Sequence, residues 1–303
     1  MTPLPLHDVL VVGGAGVDTA VHLPSLTLPA ADSVQVPAIR DYVGHTGNGV
    51  ALGCHALRLN TKFIDFIGAD PQGELILARY RERGLDFSHL VEASGTRRSV
   101  NLIDPQGRRL SLYDGRHPDT LRMPREFYLP FLSATRHAHF SIMGWVAELY
   151  DDAQALGVTV STDLHDWDGT NPHQRPFALR SDLVFLSTAA LGARRDAVMG
   201  DILRHGRARA VIAMAGAAGA YLLARGDGGV RHFPCAPLPR PGVDSNGAGD
   251  SFVAAFLATH LAGEGFDVAM RLGAIAGAYA CGCHGTHEQF IGAAELRARH
   301  AAM

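Results

Sequence analysis

The sequence predicts an α/β protein: a doubly wound, mostly parallel β-sheet flanked by helices, with a small β-sheet lid. Two observations carry this. Short Val- and Ile-rich runs alternate with segments of helical spacing along most of the chain, the pattern of a parallel sheet covered on both faces. Residues 17–43 and 96–115 break that rhythm with short polar–apolar alternation and Pro/Gly turns, closer to antiparallel strands. The expected division is a core of 1–16, 44–95 and 116–303, and a lid of 17–43 and 96–115.

The elements follow in order. "DVLVVGG" (8–14) reads as a buried strand stopped by glycines, and "GNGVALGCHALRLN" (47–60) as the helix after the first lid segment. "KFIDFIGAD" is a strand ending in a turn, and "PQGELILARYRERG" (71–84) a helix with Gly84 at its stop. Asp104-Pro-Gln-Gly107 is a hairpin turn between "RSVNLI" and "RRLSLY". Later strands are expected in "TRHAHFSIM", "GVTVSTDL", "SDLVFLST" and "ARAVIAMAG". Ligands of such a sheet sit beyond the C-terminal strand ends, and a small sheet over those ends would close as a lid.

Composition narrows the chemistry. With 303 residues, 47% hydrophobic and 19% charged, the chain can bury a large core, and a net charge of -3 without a basic stripe argues against nucleic acid as a partner. The N-terminal stretch lacks a signal-peptide pattern and no apolar run reaches membrane length, so no membrane partner and a cytoplasmic location are expected. Four cysteines are too few for a disulfide framework, and Cys281-Gly-Cys283 has the wrong spacing for zinc. Small-molecule chemistry remains.

The chemical signal is "PGVDSNGAGDSFVAAFLATHLAG" (241–263). Gly247, Ala248 and Gly249 let a ligand approach the backbone at the entrance of a helix, whose free amides and dipole favour an anion. A carboxylate there would repel a phosphate it merely accompanied. As a base that takes a proton from an attacking hydroxyl, Asp250 makes sense, and the run reads as phosphoryl transfer. An ordinary N-cap Asp after a tight turn explains the same spacing. Lys62, the only lysine, lies outside any Walker A pattern, which excludes a P-loop kinase.

At this point the chain resembles the ribokinase-like (PfkB) carbohydrate kinases. "GVDSNGAGDSF" is similar to their D-T-x-G-A-G-D-x-F signature, "VVGGAGVD" to their first strand, and "GHTGNGVALG" (44–53) to their Gly-Gly motif. "GADPQGELI" (68–76) and "MAGAAGAYL" (214–222) resemble the following turn and helix and the T-x-G-x-x-G nucleotide loop. The resemblance implies Asp250 as catalytic base, with Gly247, Ala248, Gly249 and the Asp250 amide as anion hole. It implies substrate contacts from Asp18, Gly44, His45 and Asn48. Nucleotide contacts would come from Ser187, Gly216 and Gly219, with His284 in the segment 278–290 that walls the adenine. ATP and Mg2+ would be the cofactors, with a monovalent cation such as K+ near Asp244, and the lid would form a homodimer interface.

The departures are specific. His45 replaces the second Gly of the Gly-Gly motif, and Gly49 stands where the substrate Asn is usual, with Asn48 one place earlier. The N-x-x-E motif falls on Ser187 and Ala190, and Met214 replaces the nucleotide-loop Thr. The expected function is ATP-dependent phosphorylation of a hydroxyl on a small sugar. A nucleoside kinase with Tyr42 or Tyr113 against the base, and a non-catalytic sugar- or nucleotide-binding sensor, remain open alternatives. Of the remaining polar groups, Asp163, His165, Asp166 and Asp168 lie just past a strand with one ligand-side residue expected. His137 and His139 share a strand face as packed or hydrogen-bonded histidines. Arg108 and Arg109 are solvated turn residues or anion contacts.

Overall fold

In a computed structural model, residues 6–27, 30–283, 285 and 287–303 are described. The main sheet holds β1 (His7–Val12), β4 (Thr61–Ile67), β5 (Asp86–Val91), β8 (Thr135–Phe140), β9 (Thr159–Asp163), β10 (Leu183–Ser187), β11 (Ala210–Met214), β12 (Ala220–Ala224) and β13 (Arg231–Phe233). Their order is β13-β12-β11-β10-β9-β8-β1-β4-β5. Every pair from β11 to β5 is parallel; the β11–β12 and β12–β13 pairs are antiparallel, so β12 alone runs against the other strands.

Alternation along β1 shows why the sheet is doubly covered. Val9 and Val11 face one apolar core and Leu10 and Val12 another, all four buried. Helices α1 (Thr46–Ala56), α2 (Pro71–Arg83), α7 (Ala248–Leu261), α8 (Phe266–Ala280) and α9 (Ala293–Ala301) close the first core. Helices α3 (Arg125–Ser133), α4 (Leu149–Ala155), α5 (Arg175–Arg180) and α6 (Arg195–His205) close the second. The start and stop signals of α2 act as read: Asp70 Oδ1 accepts the Gly73 amide at 2.8 Å, and Gly84 takes the left-handed conformation, φ 67°.

The smaller sheet is β3 (Arg40–Gly44), β2 (Gly16–His22), β6 (Arg98–Ile103) and β7 (Arg109–Asp114), in that order. Its outer pairs are antiparallel as expected, but the central β2–β6 pair is parallel. The local alternation that reveals a strand does not encode its partner's direction, and here β2 and β6 each leave the main sheet in the same sense. Asp104 builds the β6–β7 turn, its Oδ1 accepting the Gln106 and Arg108 amides at 3.0 and 2.9 Å.

A buried ion pair joins the two sheets. Arg97, next to β6, donates to Asp65 of β4, and Asp65 Oδ2 also accepts the Ala15 amide at 2.7 Å. With side chains 1% and 0% exposed, neither charge meets water, so each depends on the other.

Candidate active site

One cavity of about 1210 Å³ lies between the small sheet and the C-terminal ends of the main strands. Gly14, Ile142, Asp163, Ser187 and Met214, each at or just beyond a strand end, floor it, and Ser99, Asn101, Arg109, Ser111 and Tyr113 of the small sheet wall it. The reversal of strand order at β1 and β8 opens this crevice, as topology requires.

The structure brings Asp18, His45, Ser187, Asp244, Gly247, Gly249 and Asp250 together on this cavity. Gly247 takes φ 78° as the cap of α7. The amides of Gly249 and Asp250 fall in the first helical turn, where no intrahelical carbonyl exists for them, and both residues face the cavity. The Ala248 amide is differently placed: it donates to Ser245 O at 3.3 Å, and Ala248 does not line the cavity. Val243 and Asp244 amides bond Cys281 O at 2.8 and 3.2 Å, tying the Asp244 loop to the C-terminal segment.

Four expected contacts lie elsewhere. Gly44 sits beneath Asp18, where any Cβ would overlap the carboxylate. Asn48 is fully buried under the cavity. Gly216 and Gly219 form the β11–β12 turn; open space surrounds Gly216, but Gly219 packs on the Phe233 carbonyl and Cys235 amide of the chain itself. His284 lies outside the described residues.

His45 lines the cavity on the side of the small sheet. Its Nε2 is 3.4 Å from Asp18 Oδ1 and 3.2 Å from Ser99 Oγ, and its ring meets Tyr113 at 5.6 Å. Gly16 makes room, since a Cβ there would overlap the imidazole. Burial pushes the His45 pKa down to about 4 against the opposing pull of Asp18, so the ring is neutral and one nitrogen can accept. Asp163 lines the cavity but is largely buried, and desolvation raises its pKa. The neighbouring His165 opposes that rise and the charge of Asp250 adds to it.

Of the weighed groups, His137 and His139 are buried on one face, with Ser161 Oγ between them at 2.7 and 2.9 Å. Arg108 pairs with Asp104, whereas Arg109 reaches across the cavity to Asn246 Oδ1. Asp168 accepts the Thr170 and Asn171 amides of its own loop. Sequence reasoning missed Arg97 with Asp65, and His287, a lone His in "GTHEQF" whose partners lie 37 and 239 residues away.

The family model for "pfkB family carbohydrate kinase" matches residues 180–291. Over 290 residues the chain is 46% identical to the acarbose 7(IV)-phosphotransferase of Actinoplanes sp., covering 95% of this chain and 97% of that protein. The chain belongs to the pfkB family of carbohydrate kinases. It is an ATP-dependent phosphotransferase to a sugar hydroxyl. The kinase also superposes on a microbiome-derived acarbose kinase with a TM-score of 0.91 at 46% identity, covering 97% of this chain and 99% of that one. The fold is shared with Arabidopsis thaliana ribokinase, complexed with ribose and ATP, at a TM-score of 0.79 and 19% identity over 98% of this chain and 99% of that one. The ribokinase-like architecture read from the sequence is thus the observed one. Among the described residues no helix is long and apolar enough to cross a membrane.

Proposed function

We propose that this kinase transfers the γ-phosphoryl group of ATP to a hydroxyl of acarbose or a closely similar multi-ring sugar, with Asp250 as the base. The observation that carries the acceptor class is the cavity. Its 1210 Å³ exceeds the roughly 300–1,000 Å³ of an ordinary drug-sized site, room for a triphosphate and an acceptor of several rings. Full-length identity of 46% to two acarbose kinases supports the same reading.

In this mechanism the sugar lies between Asp18, His45 and the small sheet, which acts as a lid. Asp250 takes the proton of the attacking hydroxyl, and the Gly249 and Asp250 amides, with Gly247 shaping the turn, hold the charge on the transferred group. Ser187 is on the nucleotide side, and Arg109 adds a lid-borne cation. No group of three or more His, Cys, Asp or Glu side chains that would cage a metal is found among the described residues. Asp163 and Ser187, both on the cavity, are the side chains that would reach a phosphate-bound Mg2+, which when bound would neutralise phosphate charge. A K+ dependence at the Asp244 loop and a cytoplasmic setting, supported by four free cysteines, complete the reading. A homodimer would form through β7, whose Leu110 and Leu112 are exposed on the face opposite the cavity-lining Ser111 and Tyr113.

ADP release from ATP and Mg2+ across acarbose, maltooligosaccharides, monosaccharides and nucleosides tests the acceptor. Turnover should be best with acarbose. A higher kcat/KM for ribose or a nucleoside would overturn the assignment.

A further inference from the structure

Behind Asp250 lies a hydrogen-bonded chain that joins three distant segments. His287 Nε2 is 2.7 Å from Asp250 Oδ2, and His287 Nδ1 is 3.0 Å from Asn48 Nδ2. Asn48 Nδ2 also lies 3.2 Å from Val43 O. A carbonyl can only accept, so this nitrogen is the amide NH2 and spends its second hydrogen on His287 Nδ1. The flipped amide would set two oxygens against each other at Val43. His287 therefore accepts at Nδ1 and carries its proton on Nε2, which donates to the carboxylate.

The space for this ring comes from sequence changes already noted. A Cβ at Gly49 would overlap His287 Nε2 and stand 2.6 Å from Asp250 Cβ, so a side chain there excludes the ring. Where the family pattern has its substrate Asn, this chain has a hole that His287 fills, and the Asn one place earlier turns inward to hold it. Phe290 lies parallel to the ring, 6.2 Å between centroids at 6°, and His287 has a side-chain exposure of only 1%. No ligand is needed to explain any of these contacts.

We propose that His287, locked in its Nε2–H tautomer by Asn48, is a positioning residue for the base: it fixes Asp250 Oδ2 and leaves Oδ1 to take the acceptor's proton. The inference rests on Asp250 being the base. His287 lines the cavity only at its edge, with 1% of its side chain exposed and its Nε2 turned to Asp250, so its effect is expected on the chemical step rather than on binding.

The test compares kcat and both KM values for His287→Leu, His287→Gln and Asp250→Asn in the full chain with acarbose as acceptor. Leu keeps bulk but donates nothing; Gln presents an N–H near the Nε2 position and an oxygen for Asn48. His287→Leu should lose about 10- to 100-fold in kcat, the scale of a misplaced catalytic group, with both KM values within about threefold. His287→Gln should recover most of that loss. Wild-type kcat in His287→Leu overturns the proposal, as does an equal loss in both variants or a loss confined to KM. If His287→Leu does not fold, His287→Gln decides alone: near-wild-type turnover supports the role and a hundredfold loss overturns it. Asp250→Asn separates the two layers, because its retained turnover would remove the base itself and the proposal with it. Its collapse beside an unaffected His287→Leu would remove only the positioning role.

Discussion

His45 holds φ 68° and ψ 158°, backbone that is almost exclusive to glycine and costs another residue about 1–3 kcal/mol. The family pattern has Gly at this position, so the sequence departure and the strain are one fact. Surroundings over-determine the conformation: Gly44 must yield to Asp18, and the imidazole must reach Ser99 and Asp18. His45→Gly and His45→Ala both delete the ring, but only glycine relaxes the backbone. Urea unfolding should find the Gly variant more stable than the Ala variant by about 1–3 kcal/mol. Equal midpoints would mean that no strain is stored there.

Residue-scale legibility divides along the same line. Asp250 and the Gly247 turn were readable as candidates because contiguous small and acidic residues carry their own chemistry, whereas Asp18 entered only through the family resemblance. Asn48 was readable as a candidate but not in its orientation, since its partner His287 arrives from 239 residues away. Only an unusual glycine at 49 marked the place, and a glycine names a vacancy without naming its occupant.

At the scale of elements, α1 packs on α7 through its glycines. A Cβ at Gly53 would stand 2.6 Å from the Ala254 Cβ, one turn beyond the Gly49–Asp250 approach. Helix propensity alone favours Gly53→Ala by about 1 kcal/mol, but an overpacked contact costs about 1–3 kcal/mol. The clash should win, so the variant unfolds at lower denaturant, and Ala254→Gly in the same chain should restore part of the loss. A stabilised single mutant would show that the helices separate freely. Because α7 carries Asp250, the same spacing sets the depth of the base. The Arg97–Asp65 pair works likewise between the sheets: Arg97→Met leaves a buried carboxylate uncompensated and should cost about 3–5 kcal/mol by the same measurement. A loss below about 1 kcal/mol would show that water reaches Asp65. Strand alternation made the elements legible, while the parallel β2–β6 pairing was hidden, because pairing direction depends on the chain's path and not on its local pattern.

Across the whole molecule, buried histidines make folding sensitive to acid. Burial holds His45 near 4, His137 near 3 and His139 near 4, against the ordinary value of 6.5. The nearby Asp250 charge resists this at His139 while His165 adds to it, and a charge on His139 or His260 lowers His137 further. The unfolded chain binds protons below pH 6.5 that the folded protein refuses, so stability rises with pH from about 4 to 6.5 and is lost as pH falls through that window. Melting temperature should drop between about pH 7.5 and pH 5, and His139→Gln should flatten the slope. An unchanged melting temperature across that range would contradict neutral burial of these rings. The doubly wound plan was legible because β1, β4, β10 and β11 each announce two covered faces, while the outer β5, β12 and β13 carry no such signal. The cavity's size was not, since it arises from how far the small sheet stands above the strand ends.

The central claim is that Asp250 deprotonates the acceptor hydroxyl on a preformed anion site. The most direct measurement is kcat for Asp250→Asn with saturating ATP, Mg2+ and acarbose, beside ATP binding by the same variant. Intact nucleotide binding with kcat down by about 10²–10⁴-fold is the predicted result. Wild-type turnover in that variant would contradict it.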